Sequence, residues 1–587
     1  MGVILLRTVL AFFRLYREIP FVKNRFIRLS ALALTLFALS TVGLSQTTAK
    51  TAPPRGARTA TAKKATVESI EQDLQEALAL VESNYVGGKK LDYNAVFNTS
   101  IDSMLHTLDP HSNYFDAKET QEFMTEQRSE YYGIGATIGD LSDPDGKVIA
   151  TYIKATFPGA PANLAGFRYG DKILDVNGTS MLGKPFNEVR SFLRGPKDTI
   201  AKITVEKAGT GKKETVEIKR DAVSQPSISE IYMIRPGIGY LAMRGGFTQT
   251  TGREFEEGLA YLKSLGATQL VLDLRDNGGG LVSQAYDVAN QFLSTGQTVY
   301  TQKGRVQGSY QLAKSDNSSP DRSPIVMLVN RNTASASEIL TGAMQDHDRA
   351  LVAGETTYGK GLVQMPMRMA YNTMLLLTIA KYQTPSGRLI QRDYSNGGLY
   401  NYYEGLRGGE TLESAPKGPE SRTDTGRPVY SGGGITPDVN IKPDTITIER
   451  VRAQSKLANP IVAFAGEAVL GKVPGLEAYK IDKPIQFDHD ITPADYPITP
   501  QVYDAFKKFA ADTYKVTPAQ ADREKEFVER LLRYEFITAA YGSVTSFQVN
   551  NQYDDQLQKA IDLLPQAKQL AMKSEKARLT GQNTPAN

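Results

Sequence analysis

Two side chains of this sequence could together perform acyl transfer: Ser335, in the run Asn332-Thr-Ala-Ser-Ala-Ser-Glu338, and Lys360, in Tyr358-Gly-Lys-Gly-Leu-Val-Gln364. A hydroxyl attacks a carbonyl once a base has taken its proton, and an amine can be that base only when neutral. An exposed lysine, with a pKa of about 10.4, is protonated at neutral pH, so this chemistry needs a site that buries Lys360 and drives its proton off. The same runs have structural readings. Ser335 or Ser337 could be a helix N-cap with Glu338 closing a capping box, and a lysine between two glycines could be a solvated turn.

The neighbouring elements would place these groups usefully. Pro324 to Asn330 is an apolar run that predicts a buried strand, and Ile339 to Met344 predicts a helix, so Ser335 falls at a helix start. Unpaired N–H groups and the helix dipole there favour negative charge on a developing oxyanion. Leu362-Val-Gln364 predicts the start of a strand in which Lys360, Leu362 and Gln364 share a face, so the Gln364 amide could hold the lysine amine. Thr268 to Leu274 predicts a second core strand, which runs into Arg275-Asp-Asn277-Gly278-Gly279-Gly280, a turn where backbone can approach a ligand closely. No Gly-Lys-Ser/Thr follows it, which argues against a phosphate loop.

Composition removes competing chemistries. With no cysteine there is no thiol nucleophile, disulfide or cysteine metal site. The four histidines, His106, His111, His347 and His489, form no His-Glu-x-x-His zinc motif. A Ser-His-Asp triad through a distant histidine is the weaker alternative to a lysine base, and His347 reads as surface or packing.

Taken together, Ser335-Ala-Ser-Glu338, Gly359-Lys360-Gly361 and Gln364 resemble the active site of the C-terminal processing peptidases, or tail-specific proteases. That resemblance implies Ser335 as nucleophile, Lys360 as general base and Gln364 as the lysine's positioning partner. It also selects Ser335 over Ser337, because the interval to Lys360 matches the family's. It implies an oxyanion hole from the N–H of Ala336 and of Gly278 or Gly279, with no metal or organic cofactor. Leu108-Asp-Pro-His111-Ser-Asn-Tyr-Phe115 resembles a structural element of the family's N-terminal region. Many members carry an arginine just after the Gly-Tyr pair, whereas here Leu241 and Ala242 follow and the first arginine is Arg244.

A second resemblance lies upstream. Tyr132-Gly-Ile-Gly-Ala136, Val148 to Ile153, Gly159 to Gly166 and Gly170 to Gly178 are similar to a PDZ domain, and the alternation in Ala201 to Glu206 and Glu214 to Lys219 closes it as a hairpin. Such a domain adds a peptide strand to a sheet edge and takes the terminal carboxylate on backbone N–H groups. Gly133, Ile134, Gly135 and Ala136 are the candidate cradle. Val189 and Leu193, four apart on one helix face, are candidate groove residues or plain core.

At the N-terminus six basic residues and one acidic one precede the apolar stretch Leu29 to Leu44, an export-signal pattern that could also tether the chain to a membrane. Without that leader the net charge of +4 becomes about −1, so the basic balance is no nucleic-acid footprint. The expected organisation is a signal peptide or anchor at 1–45, a disordered linker at 46–66, a helical region at 67–127, a PDZ domain at 128–224, a protease core at 225–447 and a helical extension at 448–587. The fold class expected is multidomain α/β, and the resemblance implies a crotonase- and Clp-like core. Residues 393–431 predict a surface insertion, and helix is expected over 460–470 and 500–579. The extension could dimerise or bind an adaptor. The function read is an exported, periplasmic or envelope serine endopeptidase acting on the C-terminal tails of unfolded or tagged proteins. The alternative is a catalytically silent PDZ-scaffold protein that binds peptide or lipid.

Overall fold

The structure is a computed structural model that describes residues 66–86, 92–395, 402 and 418–580. The leader and linker expected over 1–66 lie almost wholly outside it. Among the described residues no helix is long and apolar enough to cross a membrane. Residues up to 103 form one compact unit and those from 104 another. In the first, the helices Val67–Asn84 and Tyr93–His106 carry the expected amphipathic pattern, and Tyr93 donates its hydroxyl to Glu82 at 2.9 Å.

The core is a six-stranded sheet in the order Glu230–Arg235, Ile238–Ala242, Gln269–Asp273, Ile325–Val329, Leu351–Gly354, Val439–Asn440. The first pair is antiparallel and all others are parallel. These strands are short apolar runs because both faces are covered. On one face Leu241, Leu270, Leu272, Met327 and Val352 pack with Phe255, Leu259, Val288, Ile339 and Leu340 of the helices Thr251–Ser264, Val282–Asn290 and Ala336–Asp346. On the other, Tyr240, Val271, Val326, Leu328 and Leu351 pack with Leu557, Ala560, Ile561 and Leu564 from the last two helices, Asp555–Asp562 and Leu564–Leu579. The end of the chain therefore completes the core rather than hanging from it.

A five-stranded antiparallel sheet lies alongside and carries Leu362–Arg368 paired with Met374–Gln383. Its edge is Asn113–Phe115, a strand within the stretch read as helical. The buried Tyr114 anchors it, and Asp109-Pro110 ends the preceding helix.

The small β-domain is a sheet in the order Ala136–Ser142, Val148–Thr156, Lys172–Val176, Ile200–Glu206, Lys213–Lys219, with a short helix at Pro161–Leu164 and a longer one at Phe186–Leu193. The predicted hairpin forms with Ala201 opposite Ile218 and Ile203 opposite Val216. Glu130–Gly133 pairs with Asp221–Ser224 where the chain enters and leaves.

The helix Ile448–Val469 begins twelve residues earlier than its proline suggested, and Pro460 sits buried inside it. With Pro500–Tyr514 and Lys525–Thr545 it packs on Tyr152 and Tyr169 of the β-domain. Lys154 Nζ donates to Glu535 Oε1 at 2.7 Å and the Tyr169 hydroxyl to Oε2 at 2.8 Å, with the Glu535 side chain 1% exposed. Truncating that carboxylate strands a lysine and a hydroxyl against apolar side chains. Glu535→Ala is expected to cost about 3–5 kcal/mol, read as a lower urea midpoint. The insertion at 393–431 is described only at its ends, where Glu420–Arg422 and Pro428–Tyr430 form a short hairpin.

Candidate active site

Ser335 occupies the turn between the strand Ile325–Val329 and the helix Ala336–Asp346. Its backbone has φ 58° and ψ −116°, a region that strains any residue with a Cβ and persists only where the surroundings hold it. They do so on three sides. Ala334 N donates to Asn277 O at 3.0 Å, Ser335 N to Glu338 Oε2 at 2.9 Å, and the Tyr382 hydroxyl to Ser335 O at 3.2 Å. Ser337 is fully buried and donates its hydroxyl to Asn277 O and Oδ1, tying the helix to the glycine turn. Ser335 is half-buried and makes no such tie.

Glu338 does more than close a capping box. It is fully buried and accepts four hydrogen bonds: Ser335 N at 2.9 Å and Lys360 N at 2.8 Å on Oε2, Thr357 Oγ1 at 2.5 Å and Gly359 N at 2.7 Å on Oε1. Burial pushes its carboxyl up, and these bonds oppose the rise. One carboxylate oxygen thus holds the backbones of Ser335 and Lys360 side by side.

Lys360 is half-buried, and burial pulls its amine below the ordinary lysine value against the Glu338 and Asp109 carboxylates. Among the described residues its Nζ makes no hydrogen bond, to Ser335 Oγ or to Gln364. The sequence expected Gln364 to hold the amine, but Gln364 Nε2 donates to Thr378 Oγ1 at 3.3 Å. A register shift between Val363 and Gln364 turns it toward that cross-strand partner.

The glycine turn abuts the serine. A Cβ at Gly279, where φ is 94°, would lie 2.6 Å from Ala334 O, 2.7 Å from Ser335 Cβ and 2.9 Å from Ala336 N. Gly279 N already donates to Asn277 Oδ1 at 2.9 Å. Among the described residues the N–H groups of Gly278 and Ala336 donate to nothing, so the geometry separates Gly278 from Gly279 as an available donor.

Sequence reasoning missed the wall beside the lysine. Asp109 accepts from His111 N, Ser112 N and Ser112 Oγ, and Ser112 Oγ accepts from Thr378 N at 3.0 Å. His111 Nε2 meets the Tyr402 hydroxyl at 2.8 Å, and Arg392 lies over the Tyr358 and Tyr402 rings. Burial, then the Lys360 charge, pushes His111 down to about 3, so it stays neutral. The Asp-Pro-His-Ser run was the available signal. None of the four histidines hydrogen-bonds Ser335. His347, read as surface or packing, is buried between Asp424 and Thr298 O. Arg244 lies in a buried cluster with Glu230 and Asp273. Among the described residues no group of three His, Asp or Glu is arranged to hold a metal.

In the β-domain, Ile134 O accepts from Ala162 N and Gly135 O from Phe157 N, while the N–H groups of Ile134 and Gly135 donate to nothing among the described residues. Ala136 begins Ala136–Ser142, an edge strand. Gly133 ends the paired strand before it. Val189 and Leu193 are 0% and 4% exposed and pack with Ile153, Phe167 and Ile173, so in this structure they are domain core. Phe186 and Arg190 on one flank of that buried stripe, and Phe192 on the other, stay partly exposed.

A parallel core with a strained serine at a helix entrance defines a serine hydrolase scaffold, and comparisons with known proteins say which. A model of peptidase family S41 matches residues 237–397 and a PDZ-domain model residues 152–207. The carboxy-terminal processing protease CtpA of Bacillus subtilis is 32% identical over 329 residues, covering 56% of this chain and 68% of that one. The carboxy-terminal-processing protease of Bartonella bacilliformis is 34% identical over 307 residues, 51% of this chain and 68% of that one. A solved photosystem II D1 C-terminal processing protease is 25% identical, covering 64% of this chain and 94% of that one at a TM-score of 0.32. The chain belongs to the carboxy-terminal processing peptidases: it is a serine-type peptidase that carries a PDZ domain.

Proposed function

We propose that this protein cleaves peptide bonds near the C-termini of unfolded or tagged proteins with Ser335 as nucleophile and Lys360 as base. The observation that carries the reading is the Glu338 oxygen shared by the Ser335 and Lys360 backbones, which holds the two residues adjacent while burial favours a neutral amine. In the reaction Lys360 takes the Ser335 proton as Oγ attacks the scissile carbonyl carbon. The oxyanion is held by Gly278 and Ala336 N–H, the departing amine takes the proton back from Lys360, and water hydrolyses the acyl ester. Catalytic hydrogen bonds are often unmade without substrate and tighten in the complex. Gln364 Oε1 accepts nothing among the described residues and is the group that would receive the Lys360 ammonium.

The N–H groups of Ile134 and Gly135 and the edge of Ala136–Ser142, all without backbone partners among the described residues, support capture of a tail: its carboxylate at the turn, its backbone added to the sheet. The leader supports an exported protein, periplasmic or held at the envelope. The domain limits proposed are those drawn from the sequence, with 448–587 divided in role between the PDZ-facing helices and the helices that cover the core.

The test uses the full chain and one unfolded substrate ending in a free carboxylate or in an amide, with mass readout of the products. The free tail is expected to be cut near its end and the amide about tenfold less efficiently, the Ser335→Ala protein being the blank. Equal cleavage of both tails would end the carboxylate-capture reading, and cleavage by the blank would end the serine assignment.

A further inference from the structure

Arg275 stands immediately before the glycine turn, and all five of its guanidinium donors are used. Nε and Nη2 donate to Asp273 at 2.9 and 2.7 Å, Nη2 and Nη1 to Asp554 at 2.7 and 3.1 Å, and Nη1 to Gln556 Oε1 at 3.1 Å. The residue is 4% exposed. Its partners come from two places: Asp273 ends the strand that leads into the turn, whereas Asp554 and Gln556 belong to the far end of the chain. Asp554 also caps the helix Asp555–Asp562, accepting from Leu557 N at 3.0 Å, and Gln556 Nε2 donates to Ile441 O at 2.6 Å. The end of the chain is thus fixed on the core sheet and grips Arg275 from outside the turn.

Beyond Arg275 the chain turns sharply. Asp276 has φ 63° and is held by Asn330 and Asn332, and Asn277 donates to Met243 O at 2.6 Å. Gly278, which carries the uncommitted N–H, comes next. The stretch that leads to Gly278 is pinned immediately before it through Asn277, which Ser337 and Met243 hold, and at its start through Arg275. Without Asp554 a buried guanidinium keeps its Asp273 bonds but leaves donors unmade, and it recovers them only by moving.

We propose that Asp554, assisted by Gln556, is a positioning residue for the oxyanion hole, acting through Arg275 to aim the Gly278 N–H. This rests on the proposed role of the glycine turn. It makes the last helices part of the catalytic apparatus by position, though none of their side chains touches the reacting atoms. Burial opposes ionisation of Asp554, but the Arg275 charge outweighs it and holds the carboxyl down at about 2, so the pair stays charged across any workable assay pH.

The informative variant is Asp554→Asn. Asparagine caps a helix as well as aspartate does, so the fold is kept while the charge and one acceptor are lost. With the full chain and an unfolded tail peptide, kcat is expected to fall about tenfold, with KM and the binding of the tail by the Ser335→Ala background within about twofold. Combined with Arg275→Gln, the loss should be no greater than for Arg275→Gln alone, because both act through one contact. Gln556→Met, which keeps the charge and the cap, should lower kcat about threefold, so the proposal remains testable if Asp554→Asn folds poorly. Unchanged kcat in folded Asp554→Asn or Gln556→Met, or losses that multiply in the double variant, would overturn it. Wild-type cleavage that survives Ser335→Ala would overturn both this proposal and the active-site assignment, whereas Ser335-dependent cleavage indifferent to Asp554 would overturn the proposal alone.

Discussion

Alanine at Ser335 or at Lys360 is expected to lower kcat for tail-peptide cleavage about 10⁴-fold or more, and the double variant should be no worse than either single one. The non-additivity is the decisive part. A nucleophile without its base is nearly as inert as no nucleophile, whereas two independent contributors would multiply their losses. Lys360→Arg should be as inactive as alanine, because a guanidinium cannot surrender its proton. The pH profile carries the same claim with a sign. The base works only when neutral, so activity should be present above the folded-state pKa of Lys360 and be lost as pH falls through it. Burial lowers that pKa, so the acidic limb should lie below the 10.4 or so of a free lysine. A wild-type limb at or above that value would show an amine that is solvated and not the base. Activity retained by Lys360→Arg would likewise exclude the amine as the base.

Gly279→Ala should be the most damaging small substitution outside the dyad. At φ 94° a residue with a Cβ costs about 1–3 kcal/mol in backbone strain alone. The added atom would lie well inside contact distance of two backbone atoms and of Ser335 Cβ, none of which is the free end of a flexible side chain. Either the glycine turn or the serine turn must move. Because the proposed oxyanion donors and nucleophile sit on those two turns, a displacement near 1 Å is expected to cost about 100-fold or more in kcat. The protein should still fold, since the six-stranded sheet is untouched. Gly278→Ala is the control: a Cβ at Gly278 meets nothing within 4 Å, so its loss should be far smaller. Comparable losses for the two variants would show that the close approach of the turns is not what matters.

The two motifs of the proposed catalytic pair were legible because each is local, and the family resemblance is what singled out Ser335 and Lys360 within them. A strand, a tight turn and a helix start are written in consecutive residues, whereas the positive φ of Ser335 is held by contacts that include the distant Asn277 and Tyr382. The sequence also made the glycine turn legible, but only as two candidate donors. Gly278 and Gly279 differ in which N–H Asn277 Oδ1 consumes, and that bond depends on where a buried asparagine side chain points. Glu338 was legible as half of a capping box. Its larger role depends on Thr357, Gly359 and Lys360 returning to the same carboxylate, a closure of the chain that helix periodicity does not encode. The choice left open for Val189 and Leu193, groove or core, was not legible for a related reason. Val189 and Leu193 do share a helix face, but whether that face lines a groove or fills a core is set by what lies opposite, and Ile153, Phe167 and Ile173 lie there.

By itself, then, the sequence determined the chemistry available to this protein: an alcohol and an amine, no thiol and no histidine zinc motif, with glycines wherever backbone must come close. Only the tertiary structure decided how those groups are held. The shared carboxylate of Glu338, the wall of Asp109 and His111 beside Lys360, and the grip of Asp554 on Arg275 all join residues far apart in the chain. The physical reason is one of range. Propensity, capping and periodicity act over a few residues, whereas the burial that unsettles a lysine's proton is created by segments that meet only once the chain has folded.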